Sequence, residues 1–339
     1  MRISAAGGGT GGHLYPAVSI LEKLAEMKKL DVTYFCLEKG IESKILPLEH
    51  PEYKLIKIDL KGLERPIWKP SNFTRLLKIS QSESIIALEI KQCDFGLMTG
   101  GYISYPVGKV CKKLKKPFFI QEQNVVPGLA NKALSLSAKK IFVAFDKTVE
   151  FFPKSVRNRI LVTGNPVREK DNEEMLFGKD YVLVLGGSRG SEFINNLMEE
   201  VYKVEHNLKF VHSTGSKEWV DRLSIFENVK AVDYIYNASA AWKGARAVIA
   251  RAGATTIGEM LYYGLPGILV PWDGATGSHQ LYNALEVEKM GKALVLKECD
   301  ATVSTLLKKL YQVLEMDKKP KMKINPAEII AKTILEELK

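Results

Sequence analysis

The stretch Arg251–Ala284, RAGATTIGEMLYYGLPGILVPWDGATGSHQLYNA, follows the short apolar run Ala247-Val248-Ile249-Ala250. A run so short and so apolar reads as a strand buried in a parallel sheet. Gly253-Ala254-Thr255-Thr256 leaves it without bulky side chains, so backbone N–H groups are bare where the next helix starts. Unpaired donors and the positive end of the helix dipole suit a diphosphate at such a terminus. Glu259 follows one turn later, where a carboxylate can accept bonds from a sugar diol. Gly264-Leu265-Pro266 then turns the chain into a second buried run, Gly267 to Val270, and a polar loop opens another helix at Ser278-His279-Gln280. The order strand, loop, helix, repeated, is that of an α/β protein with a parallel sheet.

Working outward, 339 residues at 46% hydrophobic content suffice for two domains with separate cores. No apolar run reaches the roughly 18 residues of a membrane span, and MRISAAGGGTGGH turns glycine-rich before a signal-peptide core can form, so a cytoplasmic protein is expected. Cys36, Cys93, Cys111 and Cys299 form no C-x-x-C pair and read as reduced thiols. The net charge of +10 favours an anionic partner: nucleic acid, nucleotide or membrane surface. Nucleic acid is not expected, because the lysines alternate with apolar residues rather than with aromatic stacking platforms, and no helix-turn-helix, zinc-finger or RNP pattern occurs.

The chain opens on a strand, Met1 to Ala6, the turn GGGTGG, and an amphipathic helix from Leu14 to Lys28. Gly7, Gly9 and Gly12 fit G-x-G-x-x-G, and Glu38 ends the next strand where a dinucleotide fold places its ribose carboxylate. His13 directly after the glycines suggests instead that a reacting group meets this loop, since a helix N-terminus favours the neutral imidazole, which can act as a base. Strands follow at Tyr53–Leu60, Phe95–Thr99, Pro117–Ile120, Lys139–Phe145 and Arg159–Gly164. The segment KGLERPIWKPSNFTRLLKIS, residues 61–80, mixes Trp68, Phe73, Leu76 and Leu77 with Lys69, Arg75 and Lys78, a composition that suits an anionic bilayer or one face of a core helix. Gly100-Gly101-Tyr102 is a second glycine turn, Pro106 starts a helix ending in KVCKKLKK, and Gln121-Glu122-Gln123-Asn124 stands at a strand's C-terminal edge, where ligands gather in open α/β sheets. GNPVR at 164–168 breaks the periodicity, so the boundary falls there, with domains at 1–164 and 165–325. The second half repeats the first: Tyr181–Leu185 runs into Gly186-Gly187-Ser188-Arg189-Gly190, and strands recur at 209–214, 229–235, 247–250, 267–270 and 293–296. The last helix, 326–339, follows a lysine-rich linker and is expected to pack back on the first domain.

GGGTGGHLYP, EQN, GNPVR, GGSRG and RAGATTIGE…GLPGILVP…SHQLYNA, in this order along the whole chain, resemble the MurG family of peptidoglycan glycosyltransferases. That resemblance implies a GT-B architecture, two doubly wound Rossmann-like domains facing a cleft, and inverting transfer of N-acetylglucosamine from UDP-N-acetylglucosamine to the 4-hydroxyl of lipid I, the undecaprenyl-pyrophosphoryl-muramyl-peptide. On the donor it implies Arg168 and Ser188 at the diphosphate, the Ile235 backbone at the uracil, Ala254 and Thr255 at the phosphates, Glu259 at the ribose, and His279 and Gln280 at the sugar, with Thr10, Gly11, Gly12 and Asn124 also near the donor. On the acceptor it implies His13, Tyr102, Glu122 and Asn124, with His13 as catalytic base assisted by Asn124. The enzyme would work as a peripheral protein on the cytoplasmic face of the inner membrane, docked through residues 67–79 and the lysines of 112–116. No cofactor is implied, since no D-x-D pair exists to hold a divalent cation; Arg168 and helix termini would offset the phosphate charge. Three departures stand out: His279 where the family has glutamine, Tyr105 where it has glycine, and Gln121 where it commonly has histidine. Two other classes remain in view, an NAD-linked oxidoreductase built on the first glycine loop and a nucleotide-sugar binder or membrane adaptor without catalysis.

Overall fold

Runs that are apolar on both faces need cover on both faces, which here comes from helices on either side of a parallel sheet. The computed structural model describes residues 1–60, 62, 68–169, 177–187, 189–236, 238–274 and 278–339, with only the backbone at 71, 74 and 76. It divides into two compact units, Met1–Val167 with Ile324–Lys339, and Arg168–Lys323.

In the first unit the strands are β1 (Arg2–Gly7), β2 (Asp31–Leu37), β3 (Lys54–Ile58), β4 (Phe95–Gly100), β5 (Phe118–Glu122), β6 (Lys140–Val143) and β7 (Ile160–Val162). They pair in parallel in the order β3-β2-β1-β4-β5-β6-β7. The helices are α1 (Gly11–Met27), α2 (Glu42–Glu49), α3 (Ser71–Ile90), α4 (Ser104–Lys113) and α5 (Leu129–Leu134). In the second unit β8 (Tyr181–Leu185), β9 (Phe210–Ser213), β10 (Val229–Val232), β11 (Ala245–Arg251), β12 (Gly267–Val270) and β13 (Ala293–Val295) pair in the order β10-β9-β8-β11-β12-β13. Its helices are α6 (Glu192–Tyr202), α7 (Lys217–Leu223), α8 (Ala238–Gly244), α9 (Ala254–Tyr262), α10 (His279–Lys289) and α11 (Val303–Glu315). Strand order reverses between β1 and β4 in one sheet and between β8 and β11 in the other. At such a reversal the connections leave toward opposite faces and open a crevice at the strands' C-terminal ends. Both glycine loops of each unit lie at these points.

The first sheet is covered on one face by α1 and by α12 (Pro326–Glu337), whose Ala327, Ile330, Ala331 and Ile334 share a core with Leu14, Val18, Leu21 and Leu24. Asn325 caps α12 through the Ala327 N–H at 2.9 Å and also ties Val167 to it, so the chain re-enters the first unit at a fixed point. The other face carries Ile86, Ile90, Val107, Val110 and Cys111 from α3 and α4. Cys36, Cys93 and Cys111 are buried and free, and Cys299 is exposed.

Two helices begin earlier than their sequence suggests. Helix α1 starts at Gly11, with Thr10 as N-cap, rather than at Leu14. First-turn N–H groups need no intrahelical acceptor, so the two glycines can adopt helical angles at little cost, and His13 becomes the third residue of the helix. Helix α4 starts at Ser104, which puts Pro106 in the first turn, where its missing N–H is not needed.

The second unit holds a neutral histidine in its core. His212 accepts from the Tyr202 hydroxyl through Nδ1 at 3.0 Å, and donates through Nε2 to Asn195 Oδ1 at 3.1 Å, because the Asn195 amide is turned to donate to the Thr214 carbonyl. Burial pushes its pKa down to about 3. A folded-state value below the unfolded one means that stability is fully present above about pH 6.5 and is lost as pH falls toward 3, by about 1.4 kcal/mol for each unit crossed. Gln in place of His212 offers a similar acceptor and donor but does not titrate. His212→Gln should therefore show a smaller drop in melting temperature between pH 7 and pH 4.5 than the parent, as read by differential scanning calorimetry.

Candidate active site

In the first unit the crevice is built from the loops after β1, β4 and β5. Gly100 has φ 103° and Gly101 φ 78°, and a Cβ on Gly100 would lie 2.7 Å from His13 Nδ1. Only glycine therefore admits the imidazole to this turn. His13 Nδ1 is 3.1 Å from the Thr99 carbonyl oxygen and 3.1 Å from Gln123 Oε1. Both are acceptors, so Nδ1 carries the proton, and Nε2 keeps the lone pair a general base needs. The Thr99 hydroxyl donates to the His13 carbonyl at 2.7 Å and pins the helix start to β4.

Two buried carboxylates shape these loops. Glu42 accepts from the Gly9 N–H and the Leu37 N–H, both at 2.9 Å, and a Cβ on Gly8 or Gly40 would overlap it. The first glycine loop is thus closed around an anion of its own. This corrects its reading as a phosphate loop: a fixed negative charge already holds the Gly9 donor and repels a second anion. It also disfavours a dinucleotide there, although Glu38, exposed directly after β2, stands at the same C-terminal sheet edge as this loop. Glu122, 1% exposed, accepts from Asn124 N–H at 3.0 Å, Asn124 Nδ2 at 3.3 Å, Gly128 N–H at 3.0 Å and Asn131 Nδ2 at 2.8 Å. With both oxygens engaged by its own loop, Glu122 positions Asn124 rather than meeting a ligand. The Asn124 carbonyl accepts from Thr148 Oγ1, and its side chain remains partly exposed.

In the second unit Arg251 ends β11 and is 8% exposed. It donates to Ser191 Oγ from Nε at 3.1 Å and Nη2 at 2.8 Å, to the Val270 and Pro271 carbonyls from Nη1, and pairs with Glu298. Ser191 is the N-cap of α6 and accepts from Ile194 N–H. One guanidinium thus joins Ser191 at the start of α6, the end of β12 and the segment after β13. Gly190, with φ 72°, packs so tightly on Thr214 and Gly215 that a Cβ would strike the Thr214 carbonyl. Helix α9 has Gly253 as its N-cap, a residue with no side chain of its own to cap the helix. Glu259 lies on α9, and burial pushes its carboxyl up to about 7 even though it holds a bond from the Trp242 indole, which stacks in turn on Tyr263. After β12 the Trp272 N–H donates to Gln280 Oε1 at 3.0 Å, leaving the Gln280 amide nitrogen as donor beside an exposed indole.

This geometry meets known proteins along its full length. The N-terminal domain model of glycosyltransferase family 28 matches residues 3–143, and the C-terminal domain model matches residues 181–338. The chain belongs to glycosyltransferase family 28. Among curated relatives, the UDP-N-acetylglucosamine–N-acetylmuramyl-(pentapeptide) pyrophosphoryl-undecaprenol N-acetylglucosamine transferase of Pseudothermotoga lettingae is 99% identical, covering 100% of both chains. The enzymes of the same name from Thermotoga maritima and Halalkalibacterium halodurans are 48% and 35% identical, over 100% and 93% of this chain and 99% and 91% of theirs. The crystal structure of Acinetobacter baumannii MurG superposes with a TM-score of 0.78 at 25% identity, over 99% of each chain. The glycosyltransferase of kitacinnamycin, at 14% identity and a TM-score of 0.70 over 100% and 99% of the chains, shares the fold. This family 28 member is an N-acetylglucosaminyltransferase with the two parallel-sheet, Rossmann-like domains of GT-B enzymes.

Within the enzyme, the exposed Thr10 and the half-buried Gly11, Gly12 and His13 form the start of α1, Tyr102 is exposed in the turn after β4, and Asn124 follows β5, so these residues gather at one sheet edge. Ile235 follows β10, Ala254, Thr255 and Glu259 lie on α9, and His279 and Gln280 open α10. Arg168 is the first residue of the second unit and half-buried; Ser188 lies outside the described residues. Two of the departures from the family have internal partners: Gln121 is fully buried and bonded to Gln123 and Asn165, and the half-buried Tyr105 packs against the α3–α4 core. Sequence reading gave no role to Glu42, Asn131 or Arg251, and took Gln123 only as one of four polar residues at a strand's edge. For Arg251 a signal exists, a cation directly after the apolar run Ala247–Ala250; Glu42, in GIESKIL, looks like a solvated helix charge. Glu122→Gln turns amide hydrogens toward the donors of Gly128 and Asn131. It should cost about 2–3 kcal/mol in urea unfolding and disorder the loop that carries Asn124, seen as a parallel loss of activity.

Proposed function

We propose that the first unit binds the muramyl acceptor and supplies the base, and that the second unit binds UDP-N-acetylglucosamine. The acceptor's 4-hydroxyl gives its proton to His13 Nε2 as its oxygen attacks the anomeric carbon, the bond to the diphosphate breaks, and UDP leaves with the electron pair, inverting that carbon. Arg168, Ser188 and the positive end of α9 at Ala254 and Thr255 offset the leaving charge. The Ile235 backbone reads the uracil, and His279 with Gln280 meets the sugar. Thr10, Gly11, Gly12, Tyr102 and Asn124 line the approach to His13.

The observation that carries the donor assignment is Glu259, a half-buried carboxyl one turn beyond the start of α9, whose pKa desolvation raises to about 7. A folded-state value above the unfolded one makes ionisation costly as pH rises through that range, and ribose hydroxyls, which donate, repay the cost by binding the ionised form. UDP-N-acetylglucosamine carries no phosphate that titrates near neutrality, so its affinity should rise as pH passes through about 7 and level off above. Glu259→Gln should bind at least about tenfold more weakly at pH 8 and lose that pH dependence. Isothermal titration from pH 6 to pH 8.5 checks both, and undiminished binding by the variant places the nucleotide elsewhere.

The same reading takes the enzyme to a lipid-linked acceptor, so its first unit docks on an anionic cytoplasmic membrane face. Among the described residues no helix is long and apolar enough to cross a membrane. What supports docking is α3: Trp68 is 84% exposed, Phe73 68% and Leu77 48%, and the exposed Ile85 and Leu88 extend the helix's apolar surface. Lys69 is exposed beside them, as are Lys112, Lys113 and Lys115 at the end of α4, which packs on α3. The expected docking segment 67–79 is partly corrected: Ile79 packs into the core, Arg75 donates to the Gly62 carbonyl and Lys78 pairs with Asp59 at 2.6 Å, while Ile67 and the Leu76 side chain lie outside the described residues. Shallow insertion of exposed apolar side chains beside lysines strengthens with anionic lipid and weakens with salt. Replacing Trp68, Phe73 and Leu77 with serine should abolish sedimentation with vesicles containing anionic lipid and cut activity on a long-chain acceptor. Activity on a short, water-soluble analogue should persist; vesicle binding equal to the parent's would move the docking face elsewhere.

A further inference from the structure

Gln123 carries no part in the chemistry above, yet it is 1% exposed and lies against the base. Its Nε2 donates to the Thr99 carbonyl at 2.6 Å and to Gln121 Oε1 at 2.6 Å. A backbone carbonyl only accepts, so the amide cannot be turned the other way, and Oε1 faces His13 Nδ1 at 3.1 Å. The same logic runs down the line. Asn165 Nδ2 donates to the Gln123 carbonyl at 3.1 Å, which turns Asn165 Oδ1 toward Gln121. Gln121 Nε2 donates to it at 3.2 Å, and Gln121 Oε1 is left to accept from Gln123. Four side chains, Asn165, Gln121, Gln123 and His13, thus form one buried chain of donors pointing the same way, set at two places by backbone oxygens that cannot be reversed.

We propose that Gln123 is a positioning residue for transfer, holding the His13 ring in its Nδ1–H tautomer so that the lone pair of Nε2 is presented to the acceptor hydroxyl. This rests on the reading of His13 as base and goes beyond it in naming what orients that base. Buried amides with a full set of partners have one low-energy arrangement, and a chain of aligned hydrogen bonds resists the turning of any member. The turn at Gly100 supplies the space for the ring, Gln123 supplies its orientation, and Asn165 anchors the line at the segment that leaves the first unit. An amide does this without placing a second negative charge beside the Glu42 and Glu122 loops.

The test uses the full chain, UDP-N-acetylglucosamine and a water-soluble muramyl acceptor analogue, with His13 observed by nitrogen-15 NMR and assigned by difference from His13→Ala. The parent should show His13 protonated at Nδ1. Gln123→Met removes the acceptor while nearly keeping the volume. The His13 tautomers should then mix, and kcat should fall about tenfold or more, with KM for UDP-N-acetylglucosamine within about twofold of the parent. Gln123→Glu keeps an acceptor on Nδ1 and adds a charge, so the Nδ1–H tautomer should persist while the acidic limb of the kcat–pH profile moves to higher pH by about one unit. A merely structural role would lower the melting temperature and leave the tautomer and the pH limb alone. If Gln123→Met loses its fold, judged by donor binding, the Gln123→Glu limb and tautomer decide. A parent protonated at Nε2, or Gln123 variants with the parent's tautomer, kcat and acidic limb, overturns the proposal. Full kcat in His13→Ala overturns the base reading instead, and the tautomer measurement separates the two failures.

Discussion

Every strand in this protein runs parallel to its neighbours, and that one constraint decides where chemistry can occur. Parallel ladders bring all C-terminal strand ends to one edge of each sheet, and each crossover helix then starts at that edge with unpaired N–H groups. The reversal of strand order between β1 and β4, and again between β8 and β11, parts the connections and opens that edge. In the first unit the glycine loops, the start of α1 and the polar residues after β5 gather at that edge, and in the second unit the glycine loops and the start of α9 lie at the corresponding edge of their own sheet.

The two edges solve different electrostatic problems with one architecture. In the first unit the glycine loop is filled from within by Glu42, and Glu122 does the same for the loop after β5; each carboxylate is buried and satisfied by N–H groups that would otherwise be bare. Carboxylates built into these loops disfavour a second anion beside them, which suits the neutral hydroxyl and histidine base proposed for this unit. In the second unit a cation does the tying: Arg251 joins Ser191, the end of β12 and Glu298. On the proposed reading the positive end of α9 meets the leaving group there, and Glu259 would make ribose recognition sensitive to pH near neutrality.

If His13 is the base, as proposed, its orientation comes from amides rather than from charge. A histidine beside a carboxylate gains basicity, and one beside a glutamine gains orientation with little change in charge; the line from Asn165 through Gln121 and Gln123 is of the second kind. The Gln121 departure from the family pattern belongs to this internal line.

The sequence by itself determined the strands, their number and the alternation with helices, because apolar runs of strand length bounded by glycine are local signals. It also determined the family, since GGGTGGH, EQN, GNPVR, GGSRG and RAGATTIGE recur in fixed order. His13, Asn124, Glu259 and Gln280 were legible as residues at strand ends and helix starts. Tertiary structure decided what lies behind them. Glu42 and Gly9 are far apart in sequence, as are His13 and Gln123, or Arg251 and Ser191, and a charge that looks solvated in its own helix becomes a buried clamp only when packing delivers the backbone donors it needs. Local periodicity carries the first kind of information; the second exists only once the strands have paired, because a buried polar group is tolerated only where its partners have already been brought to meet it.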